Sequence, residues 1–520
     1  MKRFRLTPAA KILCLVLVLA IAVFAVFKSG IIENDLAPNH AASTNAVSTT
    51  TKNDSKPAAA KTDDDTINLS LDEWVGWKSL VDACGGLTTQ PGSIFDQLGI
   101  KVNINIINDA TQSSNALISG DLQAAGYTTN RVAFLSQKFK EAGKNVIMPF
   151  YTNYSYGGDG IIASTNFADI STWPNARIGV PSFSEAETLV AWFVQKSDLS
   201  AADQQKILDN LIMFDTPDDA AKAFFAGQID VAATWEPYLS QAEESTNSVI
   251  VFDTTASSTL IMDGIVFDAD WAAAHSDTVS KFIDGVLQAE SLYKTDFDSI
   301  RKVMPMYSTA DDTSIAADCD HAKLANWADN MDILTDTAPQ TYNDMCTIWE
   351  SLGETVDRDA VNAIFDTTYL EALADKYKSN TAVTNKVEVT QEQKTAAVDY
   401  SSMLTKSCTV NFVPDTAKFL DQAEAASTLN EFVEIAKTLD GAIIQIEGNI
   451  NQVGEESEAG KQLSYSRAQT VANYLTSQGI DGNRIVVIGN GNTKMIGDPN
   501  TEEGKTANRR TDVMFKMIEN

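Results

Sequence analysis

The sequence predicts an α/β protein made of two folded units behind one N-terminal membrane helix. Three observations carry that expectation. Strand-like runs at 67–71, 101–107, 146–150, 160–164, 177–180, 211–214 and 248–252 alternate with helical stretches, the pattern of βαβ units. Two polar stretches, 33–66 and 379–407, interrupt the apolar patterning and read as linkers. An uncharged run from Ile12 to Phe27 follows Lys2, Arg3, Arg5 and Lys11 at the start of the chain.

The N-terminal element comes first. With its flanks the run extends over 12–32, long enough to span a bilayer, and the basic end at 1–11 places the N-terminus in the cytoplasm. Everything after Lys28 is then extracytoplasmic, making this a single-pass protein of the cell membrane. A cleaved signal peptide is the rival reading, but no small-x-small site closes the run cleanly. Charge divides the same way. The net charge is −31, yet residues 1–30 hold five bases and no acid. So acidic a body excludes non-specific binding to nucleic acid. Four cysteines remain outside the membrane: Cys84, Cys319, Cys346 and Cys408, with Cys319 and Cys346 the candidate bridge and buried thiols the alternative.

Residues 67–378 form the central unit. Its first strand leads into Trp74-Val75-Gly76-Trp77. A helix end and Gly turn follow at Ala116 to Ala125, and a second copy runs from Ala226-Gly227-Gln228-Ile229-Asp230 to Ala233, continued by Trp235-Glu236-Pro237-Tyr238. Between them lies Arg177-Ile178-Gly179-Val180-Pro181-Ser182. Carried by these pieces, the unit resembles the periplasmic solute-binding proteins of the nitrate, sulfonate and taurine type. The resemblance implies a two-lobed periplasmic-binding-protein fold that closes over a small ligand, usually an oxyanion, a sulfonate or a related organic solute, and an ABC permease as partner.

Position nominates the ligand contacts. Trp74, Gly76 and Trp77 stand at the end of the first strand; core packing is the alternative for each Trp. Tyr127, Thr128 and Thr129 follow the short strand after Gly120, where hydroxyls would meet an oxyanion. Ser182 and Ser184 open the next helix, where capping and anion binding share one location. Asp159 lies near the expected crossover, and Trp235 and Glu236 end a strand of the second lobe. Aromatic rings with carboxylates suit a cation, whereas hydroxyls with helix ends suit an oxyanion, so the ligand's charge stays open.

The C-terminal unit, 408–520, shows Val410-Asn411-Phe412, Thr416-Ala417, Leu463-Ser464, Arg467-Ala468, Val471, Tyr474-Leu475, Gly479-Ile480 and Asn508-Arg509-Arg510. On these residues it resembles the OmpA-like peptidoglycan-binding domain, an α+β fold. The resemblance implies an Asp and an Arg that grip the zwitterionic end of diaminopimelate. The Arg is present as Arg467, but Asn451 stands at the Asp position. Arg509 is a further candidate contact; Arg509 and Arg510 otherwise pair with acids such as Asp512.

The resulting expectation is an anchored extracytoplasmic solute receptor attached to peptidoglycan, serving uptake or sensing. The alternative is a structural envelope protein whose cleft has lost its ligand. No cofactor, metal or catalytic residue is expected. His275 and His321 lie outside the cleft segments, and Cys319 with His321 is too sparse for zinc. A proton-conducting stator would need an ionisable residue within Ile12 to Phe27, which has none.

Overall fold

The computed structural model describes residues 65–382 and 389–518. The run Ile12 to Phe27 and nearly all of the 33–66 linker lie outside the described residues. Among the described residues no helix is long and apolar enough to cross a membrane.

The central unit has two lobes, each built on its own sheet. The first combines β1 (Thr66–Leu71), β2 (Lys101–Ile106), β3 (Ala124–Thr128) and β4 (Val146–Ser155) with later strands. The second contains β5 (Asp159–Ser164), β6 (Ile178–Pro181), β7 (Ile212–Phe214), β8 (Val231–Trp235) and β9 (Ser248–Asp253). The chain then returns to the first sheet through β10 (Met262–Asp268) and β11 (Ala322–Leu324). Sheet order is β11-β4-β10-β3-β1-β2 in the first lobe and β7-β6-β8-β5-β9 in the second.

β1 runs parallel to β2 and β3, and every one of its residues is buried, as expected of a strand covered by helices on both faces. β10 runs antiparallel to both β3 and β4 and so sits at the centre of the first sheet. The two Gly turns deliver one helix–strand pair to each lobe: Ala110–Ser119 into β3, and Pro217–Phe225 into β8.

Two connections join the lobes, residues 156–158 and 254–261. A third link is the helix Ala338–Ser351. Its Trp349 Nε1 donates to the Asn130 carbonyl in the first lobe at 2.9 Å, and Ser351 Oγ accepts from Gln195 in the second at 2.6 Å.

The last unit is a four-stranded sheet ordered β12-β15-β13-β14, with β12 (Leu404–Cys408), β13 (Ile443–Gly448), β14 (Ile485–Gly489) and β15 (Thr511–Lys516). The helices Gln422–Thr438 and Glu458–Ser477 pack with it; Ala468, Val471 and Leu475 of the second are fully buried. The stretch 410–412, which resembles the family's opening strand, is not one of the strands of this sheet. That stretch makes a tight reversal closed by a Phe412–Phe419 bridge, and the true first strand starts at Leu404, inside the stretch expected to be linker. The reason is pairing: Leu404 to Cys408 matches β15 along its whole length. The short helix Gln391–Ala396 also lies in that stretch.

This unit docks on the second inter-lobe connection. Ser257 Oγ donates to the Thr438 carbonyl at 2.6 Å, Ser258 N donates to Asp440 Oδ1 at 2.8 Å, and Gly441 N donates to the Ala256 carbonyl at 3.0 Å. A Cβ on Gly441 would collide with the Thr255 carbonyl, so only glycine allows this approach. Arg484 holds the docking loop in shape. It is 6% exposed, and it donates to the carbonyls of Ala442 at 2.8 Å, Ala436 at 3.0 Å and Leu439. Burial pulls its pKa down to about 10, against the opposing pull of Asp440 and Asp481.

The four described cysteines are all buried free thiols, so the Cys319–Cys346 bridge is not formed. Cys319 donates to the Tyr293 carbonyl at 3.5 Å, while Cys346 lies in the buried face of the Ala338–Ser351 helix. Each serves as a small apolar core group in a different neighbourhood.

Candidate functional site

The cleft between the lobes brings together side chains from six separated segments. Trp74 Nε1, just past β1, donates to Asn153 Oδ1 at 3.1 Å and Asp263 Oδ2 at 3.0 Å. This indole crosses so close to the backbone that a Cβ on Gly76 would strike both Trp74 and Asn153. Asp72 accepts from Trp77 Nε1 at 2.6 Å. Opposite them, Asp159 at the start of β5 accepts from Ser155 Oγ at 2.7 Å, and Ser155 shares a 2.9 Å hydrogen bond with Thr254.

A direct latch joins the lobes beside this cluster. Arg131 donates from Nε and Nη2 to the two oxygens of Glu185 at 3.1 and 2.9 Å, a two-pronged pair. Thr128 Oγ1 donates to the same carboxylate at 2.8 Å, and Asn130 Nδ2 donates to Thr188 at 2.9 Å.

The electrostatics follow from burial. Asp263 is 4% exposed, and its pKa is raised well above the carboxylate range, first by burial and then by the charges of Asp72, Glu185 and Asp159. Burial likewise pushes Asp159 up to about 7, with Ser155 opposing and Glu185 adding. It raises Asp72 against the pull of Arg131. Burial also works against the charge on Arg131, yet Glu185 and Asp72 outweigh it and its pKa rises. The only base at this cluster among the described residues is therefore already paired, while three carboxylates carry raised proton affinity. Among the described residues no group of three or more His, Cys, Asp or Glu is placed to hold a metal ion.

The residues nominated from sequence divide accordingly. Trp74, Gly76, Thr128 and Asp159 meet at the cleft. Trp77 is 1% exposed and belongs to the core, anchored through Asp72. Thr129 is fully buried against Tyr151, whereas Tyr127 is buried and bonded to Ser113, with its hydroxyl in the electrostatic reach of Arg131 and Asp72. Ser184 caps its helix by accepting from Glu187 N at 3.2 Å; Ser182 is exposed. Trp235 is exposed and donates to Asp218 at 3.0 Å. Glu236 accepts from the backbone and hydroxyl of Ser240, which makes it an organiser of its own turn. His321, outside the cleft segments in sequence, lies 3.9 Å from Glu236 at the first connection. Sequence reasoning missed Asp72, Arg131, Asn153, Ser155, Glu185, Thr254 and Asp263. An Asp inside the apolar run from Ile261 to Phe267 was the one readable signal for Asp263.

A second site lies in the last unit, a cavity of about 590 Å³ lined by Phe412, Asp415, Asn451, Arg467 and Arg509 among others. Arg467 Nε donates to the Thr416 carbonyl at 3.0 Å, and its guanidinium lies 5.0 Å from the centre of the Phe412 ring. Burial lowers its pKa, with Asp415 opposing and Arg509 adding. Among the described residues Arg509 is bonded only through Nε, to the Lys505 carbonyl at 3.1 Å, whereas Arg510 pairs with Asp512 at 2.9 Å and is structural. Asn451 Oδ1 accepts from Asn508 at 2.9 Å, and its Nδ2 donates to the Pro499 carbonyl at 3.3 Å.

Residues 411–509 match the OmpA family. This OmpA domain is 37% identical over 90 residues to outer membrane protein A of Bordetella avium, covering 17% of this chain and 46% of that protein. It is 33% identical over 86 residues to the peptidoglycan-binding protein ArfA of Mycobacterium bovis, covering 16% of this chain and 26% of that protein. The chain thus spans less than half the length of these relatives. Among solved structures, the periplasmic aliphatic sulphonate binding protein SsuA of Escherichia coli aligns with a TM-score of 0.46 at 14% identity, covering 59% of this chain and 99% of that one. The periplasmic nitrate-binding protein NrtA of Synechocystis aligns with a TM-score of 0.44 at 10% identity, covering 61% and 90%.

Proposed function

We propose that this chain is an extracytoplasmic solute receptor, held to the membrane through residues 12–32 and to peptidoglycan through its OmpA domain. Its ligand is a small organic cation or amine, bound between Trp74 and the carboxylates of Asp72, Asp159 and Asp263. The observation that carries this reading is the buried trio of carboxylates beside the indole, with Arg131 already committed to Glu185. An ammonium entering the cluster would restore the charges that burial suppresses, and an indole face adds cation–π attraction. A sulfonate or nitrate, the ligand class implied by the sequence resemblance, would meet like charge and no free base. The chain is read as a binding protein, not an enzyme, delivering its solute to an ABC permease or reporting its presence.

The test is a thermal-shift screen of the purified chain against amines, quaternary ammonium compounds, sulfonates and oxyanions. Stabilisation by cations alone supports the reading; stabilisation by anions alone overturns the ligand class. A second reading, an envelope scaffold that binds nothing in this cleft, is favoured by the direct Arg131–Glu185 latch. No stabilisation by any probe, together with retention on purified peptidoglycan, would establish it.

A further inference from the structure

The wall pocket has the base its task needs but not the acid in the place the family resemblance implies. A zwitterionic peptide end offers an ammonium and a carboxylate a fixed distance apart, so its receptor needs one acid and one base held rigidly. Asn451 cannot be that acid. It is neutral, and both ends of its amide are engaged, by Asn508 and Pro499.

We infer that Asp415 supplies the missing carboxylate: together with Arg467 it grips the zwitterionic end of a diamino-acid wall peptide, Asp415 taking the ammonium and Arg467 the carboxylate. The inference rests on the wall-binding reading above. Both side chains line the same cavity. Asp415 is exposed, and among the described residues no hydrogen bond or ion pair occupies its carboxylate. Among the described residues no hydrogen bond engages the two terminal nitrogens of Arg467 either; only its Nε is used, and its partner is the carbonyl of Thr416, the residue next to Asp415. That bond fixes the acid-bearing turn to the base.

The turn itself is held for the purpose. Thr416 N and Oγ1 both donate to the Val413 carbonyl, at 3.1 and 3.0 Å, and Val413 N donates to the Lys418 carbonyl at 2.8 Å. Asp415 sits at its tip with φ of 57°, a left-handed conformation that glycine adopts more readily. The conformation, which Asp tolerates better than most side chains, holds an acid without a protein partner at the cavity wall.

Backbone preference separates binding from folding in the test. Asp415→Gly relieves the conformation, and Asp415→Asn keeps the shape without the charge. Both variants of the full chain are expected to melt at or above the wild-type temperature, yet to bind purified peptidoglycan and free meso-diaminopimelate about tenfold or more weakly. Wild type is expected to discriminate against diaminopimelate acylated on the amine, and Asp415→Asn to lose that discrimination. The double variant D415N/N451D is expected to recover part of the binding. Asp415→Asn binding like wild type, with its discrimination intact, overturns this inference alone. Failure of the unaltered chain to bind either probe overturns the wall-binding reading and this inference together.

Discussion

Ser258 gives both its backbone N–H and its hydroxyl to one carboxylate, that of Asp440, with the N–H bond at 2.8 Å. The serine belongs to the connection between the two lobes and the aspartate to the OmpA domain. Four residues upstream of Ser258, Thr254 Oγ1 accepts from Gly157 N at 2.9 Å and contacts Ser155, which holds Asp159. Ser257 N donates to the Thr254 carbonyl at 3.2 Å and its Oγ to the Thr438 carbonyl at 2.6 Å, so hydrogen bonds lead from Asp159 to the OmpA domain.

Breaking that junction should loosen both ends. Asp440→Ala is expected to cost about 2–3 kcal/mol, the range for hydrogen bonds to a buried charged group. Chemical denaturation would read the loss, and proteolysis near 379–407 should quicken.

The cleft makes a pH prediction. Asp159, raised to about 7, is protonated below that value in the empty chain and must lose its proton to meet a cation. Cation affinity should therefore climb as pH rises from 6 to 8 and level off above. Titration calorimetry in buffers of different ionisation enthalpy would detect the released proton. A pH-independent affinity would remove Asp159 from the site.

The same group bears on stability with the opposite sense. Its pKa in the folded state lies above the unfolded value, so the folded chain holds the proton more tightly. Stability of the empty chain should fall as pH rises from about 4 to 7, and Asp159→Asn should flatten that slope. A melting-temperature series across this range checks it. Wild type and variant falling in parallel would refute it.

Asp263→Asn tests the other side of the cleft. Asn keeps the oxygen that accepts from Trp74 Nε1 but cannot ionise to meet an entering cation, as the Asp263 carboxyl, whose proton affinity burial raises, can. The melting temperature should hold or rise, while affinity for a stabilising cation should drop about tenfold or more, the scale of one buried charged contact.

Away from the cleft, Lys78 and Asp82 form a fully buried pair at 2.6 Å, with Lys78 also donating to the Leu292 carbonyl at 3.1 Å. Lys78→Met strands the Asp82 carboxylate and should cost about 3–5 kcal/mol, whereas replacing both with apolar residues should recover most of it. Denaturant unfolding of the two variants makes the comparison.

How far the sequence could go is clear from these same residues. Alternation and turn signals locate seven of the strands from β1 to β9, all but β3 and β8, because each is a local pattern, although β4 runs on past the expected 146–150 to Ser155. Trp74 and Gly76 are nominated by their place at the end of the first strand and Asp159 by the expected crossover, and the structure puts all three between the lobes. β10 was missed, since Asp263 and Gly264 interrupt its apolar run, and with it went the most deeply buried cleft acid. Asp72, Glu185 and Arg131 were illegible for another reason. Each sits in an ordinary local context, and only closure of one lobe on the other brings Arg131 to Glu185. In the OmpA domain, Asn451 stands where the resemblance implies an Asp, whereas nothing in the local sequence singles out Asp415, because the two lie in different loops.

The glycine at 441 has an evolutionary corollary. Proteins assembled from modules on flexible strings can exchange one module for another without adjusting the rest. Here the neighbouring backbone at Thr255 leaves no room for a side chain at that seam. A recombinant carrying a different wall domain would need to bring its own glycine, and its own partner for Ser258, to the same spot.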